Sequence, residues 1–206
     1  FITSKFSFDF IKRTKSAFND SELLLANWWI IPKVRERWNK LITGDENITY
    51  EEYFCEKYFD NNENLKFLSL GSGICSHEIE IAELRPNWEI HCFDFSEELL
   101  KKAKEISDNK GLKNIFFHAN NILKHDFMKG EYDIVFFHAS LHHFDHISEF
   151  ISKVILRILK KSGYLIVNEY VGKNRMLYSL DQIKKINEVL KSIPKKFRKI
   201  YKTNIF

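Results

Sequence analysis

The chain has 206 residues, a length that predicts one domain with room for an added subdomain. Its composition is 44% hydrophobic and 29% charged with 7 Gly and 3 Pro, which excludes disordered, collagen-like and low-complexity chains. The net charge is +4, but residues 182–206 hold eight Lys and Arg against Glu188. The rest of the chain is therefore mildly acidic, and a nucleic-acid partner is not expected.

Cysteine usage and hydropathy indicate a cytoplasmic protein without a membrane span. The chain has an odd number of cysteines, Cys55, Cys75 and Cys92, and their spacing is not that of metal ligands. Neither a disulfide framework nor a zinc site is therefore predicted. The longest apolar stretch, 23–31, is interrupted by Asn27 and is well short of the roughly 20 residues that a membrane helix needs.

Residues 1–64 show helical periodicity and predict a helical cap packed on the following domain. The cap carries many aromatic residues, among them Trp28, Trp29, Trp38, Tyr50, Tyr53, Phe54, Tyr58 and Phe59. Phe6, Phe8 and Phe10 alternate with polar residues and could form a short strand.

Residues 65–172 alternate short apolar runs with helical patterns, which predicts repeated βαβ units and a mostly parallel sheet with helices on both faces. Ser96 is the predicted cap of one crossover helix and Asp145 the predicted cap of another, which returns to the sheet through a turn at 160–163. The predicted strands are Lys66–Leu70, Glu89–Asp94, Asn114–His118, Tyr132–His138 and Gly163–Glu169.

Residues 173–206 predict a final helix and a basic tail. Ser179 and Gln182 have the spacing of a capping box, and apolar residues then recur at helical spacing until Pro194.

The chemistry is predicted around the stretch FLSLGSGICS, residues 67–76. An apolar strand runs into a turn with Gly71 and Gly73, and a helix is predicted to begin near Ile74. Two such glycines let the backbone approach a ligand at a helix N-terminus. Asp94, at the end of the second strand, can accept hydrogen bonds from two ribose hydroxyls, so the pair predicts a nucleoside site.

Nicotinamide cofactors and S-adenosylmethionine both use such a site, and further motifs favour the second. The turn departs from the dinucleotide pattern, because Ser76 stands where that pattern has a glycine or alanine for helix packing. Together with GSGICS and Asp94, the segments YDIVFFHASLHHF (132–144) and VILRILKKSGYLIVNEYVG (154–172) resemble the class I S-adenosylmethionine-dependent methyltransferase family, whose fold is a Rossmann-like doubly wound sheet.

This resemblance implies S-adenosylmethionine as cofactor, with S-adenosylhomocysteine as product. The cofactor-binding residues it implies are Gly71, Ser72, Gly73, Asp94, Phe95, His138 and one of Asn120 and Asn121. Either asparagine could instead cap a helix. The sequence departs from the family at Cys75, where a third glycine is usual, and at Ser162, where proline or glycine is usual.

His142, His143 and Glu169 are the catalytic candidates, because equivalent residues of similar sugar methyltransferases are the proposed base and its partner. A hydroxyl acceptor must lose a proton, and imidazole suits that task near neutrality. Either histidine could instead be a packed core residue. Tyr170 is a further candidate, and Trp28 and Trp29 could belong to a lid. No metal site is expected, since His142, His143, Asp145 and His146 are too close in sequence to converge.

The predicted acceptor is an oxygen or nitrogen of a small molecule, such as a sugar or natural product. The proline motifs of nucleobase methyltransferases cannot occur, because prolines stand only at 32, 86 and 194. Two other functions stay open: an NAD-dependent oxidoreductase, and a non-catalytic S-adenosylmethionine-binding module. The family commonly ends its sheet with an antiparallel hairpin, which little of the sequence after Glu169 resembles, so we expect a short sheet or a truncated chain.

Overall fold

A computed structural model describes residues 31–60, 63–172 and 178–197. They fall into two compact units, one ending at Glu169 and the other beginning at Tyr170. The predicted strand around Phe6–Phe10 and the predicted lid residues Trp28 and Trp29 lie outside the described residues.

The first unit contains a parallel five-stranded sheet between helices. Its helices are α1 (Pro32–Thr43), α2 (Tyr50–Tyr58), α3 (Ser76–Leu84), α4 (Glu97–Asn109) and α5, which combines the helical turns Ile147–Phe150 and Leu156–Ile158 with a π-helical stretch, Ile151–Ile155. Its strands are β1 (Lys66–Leu70), β2 (Glu89–Asp94), β3 (Ile115–Ala119), β4 (Tyr132–His138) and β5 (Leu159–Asn168).

The strand order is β3-β2-β1-β4-β5, and every pairing is parallel. The order reverses between β1 and β4, and in such sheets ligands bind in the crevice outside the carboxyl ends of the strands at this reversal. The predicted doubly wound α/β fold is confirmed.

The strands are continuous apolar runs because both faces of the sheet are covered. Phe67 of β1 packs into one cluster with side chains of α2, α3 and α4, whereas the next residue, Leu68, packs into a second cluster with α5. Trp88, just before β2, is 1% exposed and stacks on Phe67.

Helix α2 shares the core of the sheet. Thr49 caps the helix in a reciprocal capping box with Glu52, which fixes where the helix begins. Tyr50, Phe54 and Cys55 belong to the same buried cluster as β1 and β4. Helix α2 of the cap therefore packs on the same face of the sheet as α3 and α4.

Several boundaries differ from the predictions. The third strand lies one residue later than expected, and α3 begins at Ser76 because the glycine turn extends through Cys75. Asp145 does not cap α5, since His146 occupies the N-cap position with a left-handed backbone, φ 50°.

Strand β5 begins earlier than predicted, and residues 160–163 are an irregularity within it rather than a turn before it. The register shifts from Tyr132↔Leu159 to Ile134↔Tyr164. A Cβ at Gly163 would lie 2.9 Å from the backbone oxygen of Asp133, so only glycine permits this close approach.

The second unit contains α6 (Leu180–Ser192). Ser179 and Gln182 form the predicted capping box, with both reciprocal hydrogen bonds present.

Candidate active site

The glycine turn leaves β1 with three residues in the left-handed backbone region: Gly71 (φ 74°), Gly73 (φ 56°) and Cys75 (φ 56°). The Gly71 amide donates to the backbone oxygen of Phe93 over 2.8 Å, which anchors the turn to β2. On the other side, a Cβ at Gly71 would lie 2.8 Å from Cβ of Ser140, the residue whose Oγ donates to the Leu70 carbonyl. Position 71 therefore requires glycine for two reasons, the close packing against Ser140 and the positive φ.

Cys75 does not obstruct this turn. Its side chain is fully buried in the core cluster that includes Cys92, and its thiol donates to the Gly73 carbonyl. The residue that replaces the third glycine therefore packs beneath the turn.

Asp94 joins the glycine turn to the end of β2. Its Oδ2 accepts from the Gly73 amide over 2.8 Å, and its Oδ1 accepts from the Ser96 amide over 2.7 Å. Each carboxylate oxygen has a second lone pair. Asp94 could thus order the turn and also accept from a ligand hydroxyl, beside half-buried Phe95.

The two asparagines after β3 have different environments. Asn121 caps the short helical turn Ile122–Lys124, with its Oδ1 accepting from the Leu123 amide over 3.0 Å. Asn120 is exposed. Capping therefore accounts for Asn121 and leaves Asn120 as the better adenine-binding candidate.

The structure brings His142 and Glu169 together at the carboxyl ends of β4 and β5. Glu169 accepts from the Leu141 amide over 2.7 Å, and its Oε2 lies 3.0 Å from His142 Nδ1. The His142 side chain remains 55% exposed, while that of Glu169 is 11% exposed. A nearly buried carboxylate thus orients an accessible imidazole.

His143 stands next to His142, with ring centroids 4.0 Å apart, but its environment differs. Burial, and then the charge of His142, lower the pKa of His143. The two histidines that sequence reasoning left equivalent are therefore distinguished by their contacts.

His138, the last residue of β4, belongs to a buried polar network. Its Nδ1 bonds the hydroxyl of Tyr50 in α2, and its ring stacks on that of His77 with centroids 3.6 Å apart. His77 Nδ1 in turn bonds Glu51 Oε1. Glu78, in the first turn of α3, accepts from the Ser69 hydroxyl over 2.5 Å.

The pKa values of the two stacked imidazoles are shifted in opposite directions. Burial lowers the pKa of His138 to about 3, and the charge of His77 adds to this effect. Burial alone would lower the pKa of His77 too, but the hydrogen bond and charge of Glu51 outweigh it and raise the pKa overall. His138 is therefore neutral near pH 7.

Sequence reasoning missed Tyr50, Glu51, His77 and Glu78. The dipeptide His77-Glu78, directly after the glycine turn, was a usable signal. Tyr50 and Glu51 carried none, because they reach this site only through the packing of α2.

A model of the methyltransferase domain family matches residues 61–204. The chain belongs to this family. The predicted class I S-adenosylmethionine-dependent methyltransferase family is thereby confirmed, and the enzyme class and cofactor predicted from the sequence are those of this family. No curated protein sequence matches the chain.

Solved structures share the fold of this methyltransferase domain at low identity. An S-adenosylmethionine-dependent methyltransferase from Aquifex aeolicus is 18% identical, with a TM-score of 0.53, over 77% of this chain and 86% of that one. The [4+2]-cyclase SpnF is 19% identical, with a TM-score of 0.54, over 64% of this chain and 48% of that one. Coclaurine N-methyltransferase, bound to N-methylheliamine and S-adenosylhomocysteine, is 19% identical, with a TM-score of 0.52, over 61% of this chain and 36% of that one. The chain thus spans less than half of the last two proteins.

Within the residues that the structure describes, no three His, Cys, Asp or Glu side chains are placed to share a metal ion. None of the helices in this part of the methyltransferase domain is long and apolar enough to cross a bilayer.

Proposed function

We propose that this chain transfers a methyl group from S-adenosylmethionine to an oxygen or nitrogen of a small molecule. Membership of the methyltransferase domain family supports the reaction class. The observation that carries the proposal is the bond between His142 and Glu169 at the same sheet edge as the glycine turn.

The glycine turn fits the cofactor. A Cβ at Gly73 would meet no atom within 4 Å, so this positive-φ glycine borders open space next to the Asp94 carboxylate. In this proposal Gly71, Ser72 and Gly73 approach the cofactor with their backbone, Asp94 accepts from the ribose, and Asn120 accepts from the adenine amino group. When bound, the cofactor supplies a methyl group already activated by its sulfonium.

The protein's own contribution is positioning and proton removal. Glu169 fixes the orientation of the His142 ring by bonding Nδ1, which leaves Nε2 to take the proton of the acceptor. The neutral His138 adds no positive charge at the end of β4, which suits a site for a cationic cofactor.

The test replaces each histidine in turn. His142→Ala should retain S-adenosylhomocysteine affinity and lose at least about 100-fold in kcat, the usual contribution of a general base. His143→Ala, its adjacent control, should retain most of the turnover. Full activity of His142→Ala on a hydroxyl acceptor would show that the base is assigned wrongly.

The same experiment separates the proposal from a non-catalytic binding module, which would show no turnover with any acceptor. An oxidoreductase is disfavoured by the family match. We also propose a cytoplasmic location, supported by three cysteines that are all free and buried.

A further inference from the structure

A cavity of about 580 Å³ lies between α1, α2 and the start of α3. Two parts of its wall are connected with the ends of the central strands. Ser76 and His77, which line it, directly follow the glycine turn, and Tyr50, another lining residue, bonds His138 at the end of β4. A molecule in this cavity would therefore lie next to the carboxyl ends of β1 and β4.

The walls of the cavity carry an excess of negative charge. Four carboxylates line it, against one arginine and one histidine: Glu36, Glu46, Glu51 and Glu80, with Arg35 and His77. Glu51 is the deepest of them, with only 3% of its surface exposed. His77 neutralises Glu51, and Lys33 neutralises Glu36. Glu46 and Glu80 then remain against Arg35, so the walls keep a net negative charge.

The carboxyl group of Glu78 is buried close to the wall of the cavity. Glu78 is 1% exposed, and among the described residues its Oε2 has no hydrogen-bond partner. Burial is the main cause of the raised pKa of Tyr50, and Glu51 is the main cause of the raised pKa of His77. Glu78 adds a smaller effect to both, so it lies close to these two lining residues. Burial raises the pKa of Glu78 itself, and a cation nearby would favour its charged form.

Aromatic side chains complete the cavity. Trp38 and Tyr50 line it together with the carboxylates. Ring faces attract ammonium groups, and the combination of aromatic rings with carboxylates is suited to an organic cation carrying an apolar body.

We propose that this cavity binds the methyl acceptor and that the acceptor is a primary or secondary amine, taken up as its ammonium ion. The inference rests on the proposed methyl transfer and narrows its acceptor from oxygen or nitrogen to nitrogen. The ammonium lies against Glu51 and Glu80, and the apolar body of the acceptor lies against Trp38 and Tyr50.

The reaction balances without a further reagent. Before transfer, the ammonium loses one proton to solvent water. The free amine lone pair then forms a bond to the methyl carbon while the carbon–sulfur bond breaks. The electron pair of that bond stays on sulfur, giving the neutral thioether and a methylated ammonium.

The test uses matched amines and alcohols: phenethylamine with 2-phenylethanol, tryptamine with tryptophol, and cadaverine with 1,5-pentanediol. Binding is measured by calorimetry on the whole chain saturated with S-adenosylhomocysteine. We expect at least one amine to bind tenfold or more tightly than its alcohol, equivalent to about 1.4 kcal/mol. Alcohols that bind as well as their amines, or a panel in which no amine binds, would overturn the proposal.

Charge-neutral variants locate the effect. Glu80 is half-buried, and Glu80→Gln should weaken amine binding tenfold and leave S-adenosylhomocysteine affinity unchanged. Glu51→Gln should have the same two effects, provided that thermal unfolding shows the variant to be folded. Glu83→Gln, on the same helix but paired with Lys110, is the matched control and should bind the amine normally. If Glu80→Gln weakened S-adenosylhomocysteine instead of the amine, the cavity would belong to the cofactor. Failure of the proposed function itself is distinguishable, because the wild-type chain would then not bind S-adenosylhomocysteine at all.

Discussion

Asp94 holds the glycine turn against the end of β2, and Asp94→Asn removes its charge with little change in shape. Asparagine has one acceptor oxygen and one NH2 group, so it cannot accept from both the Gly73 and Ser96 amides, whichever way it is oriented. A hydrogen bond to a charged group contributes about 1.5–3 kcal/mol. Because Asp94 is only partly buried, we expect the free energy of unfolding to fall by about 2 kcal/mol in urea denaturation.

The same substitution should weaken the cofactor. The substitution removes the carboxylate that we propose as the ribose acceptor, and one charge-assisted hydrogen bond corresponds to about tenfold or more in affinity. Calorimetry with S-adenosylhomocysteine measures this effect at a temperature where the variant is folded.

Asp133→Asn is the matched control. Asp133 Oδ2 accepts from the Lys66 amide and from Lys160 Nζ, each over 2.8 Å, at the opposite end of the sheet. This variant should lose less stability than Asp94→Asn, because a single oxygen of Asp133 accepts from both donors and an amide oxygen can replace it, and it should bind S-adenosylhomocysteine normally. Unchanged affinity in Asp94→Asn would refute the ribose assignment, and an equal loss in Asp133→Asn would show that general destabilisation causes it.

Three further predictions follow from single contacts. Gly71→Ala should lower the free energy of unfolding in urea by at least about 1 kcal/mol more than Gly111→Ala does. The two glycines have nearly the same positive φ, but only a Cβ at position 71 would meet a neighbour, Cβ of Ser140 at 2.8 Å. The pKa of His138 is about 3 in the folded state, below its ordinary 6.5, so the free energy of unfolding falls as the pH decreases below 6.5. Between pH 7 and pH 5, the free energy of unfolding of His138→Asn should fall by about 2 kcal/mol less than that of the wild type, as measured by urea titration. Glu169→Gln should retain the bond from the Leu141 amide but lower kcat about tenfold or more, with unchanged S-adenosylhomocysteine affinity, and an unchanged pH–rate profile would contradict its role.

The three central strands were predictable to the residue. β1, β2 and β4 are apolar runs that end at a glycine turn, an aspartate or a polar segment, and both faces of each are buried. Local sequence therefore determines where they begin and end. The capping box of Ser179 with Gln182 and the Ser96 cap were predictable for the same reason, since their bonds join residues three apart.

The start of β5 was not predictable, because it depends on contacts between distant residues. Lys160 pairs with Asp133 across the strand boundary, and Gly163 lies against the Asp133 backbone. A short-range pattern such as Lys-Lys-Ser-Gly resembles a turn, whereas the pairing with β4 makes it part of a strand.

The candidate site shows the same division. The glycine turn, Asp94, His142 and Glu169 lie at strand ends, so the order of the strands places them at one edge of the sheet. Glu51 and Tyr50 lie in a helix that precedes the sheet in sequence, and only tertiary packing brings them to His77 and His138.

The most direct test of the account is a calorimetric comparison of S-adenosylmethionine, S-adenosylhomocysteine and NAD on the wild-type chain. The glycine turn and Asp94 predict that both adenosyl sulfur compounds bind at one site per chain and that NAD does not. Binding of NAD without binding of S-adenosylhomocysteine would contradict the central claim.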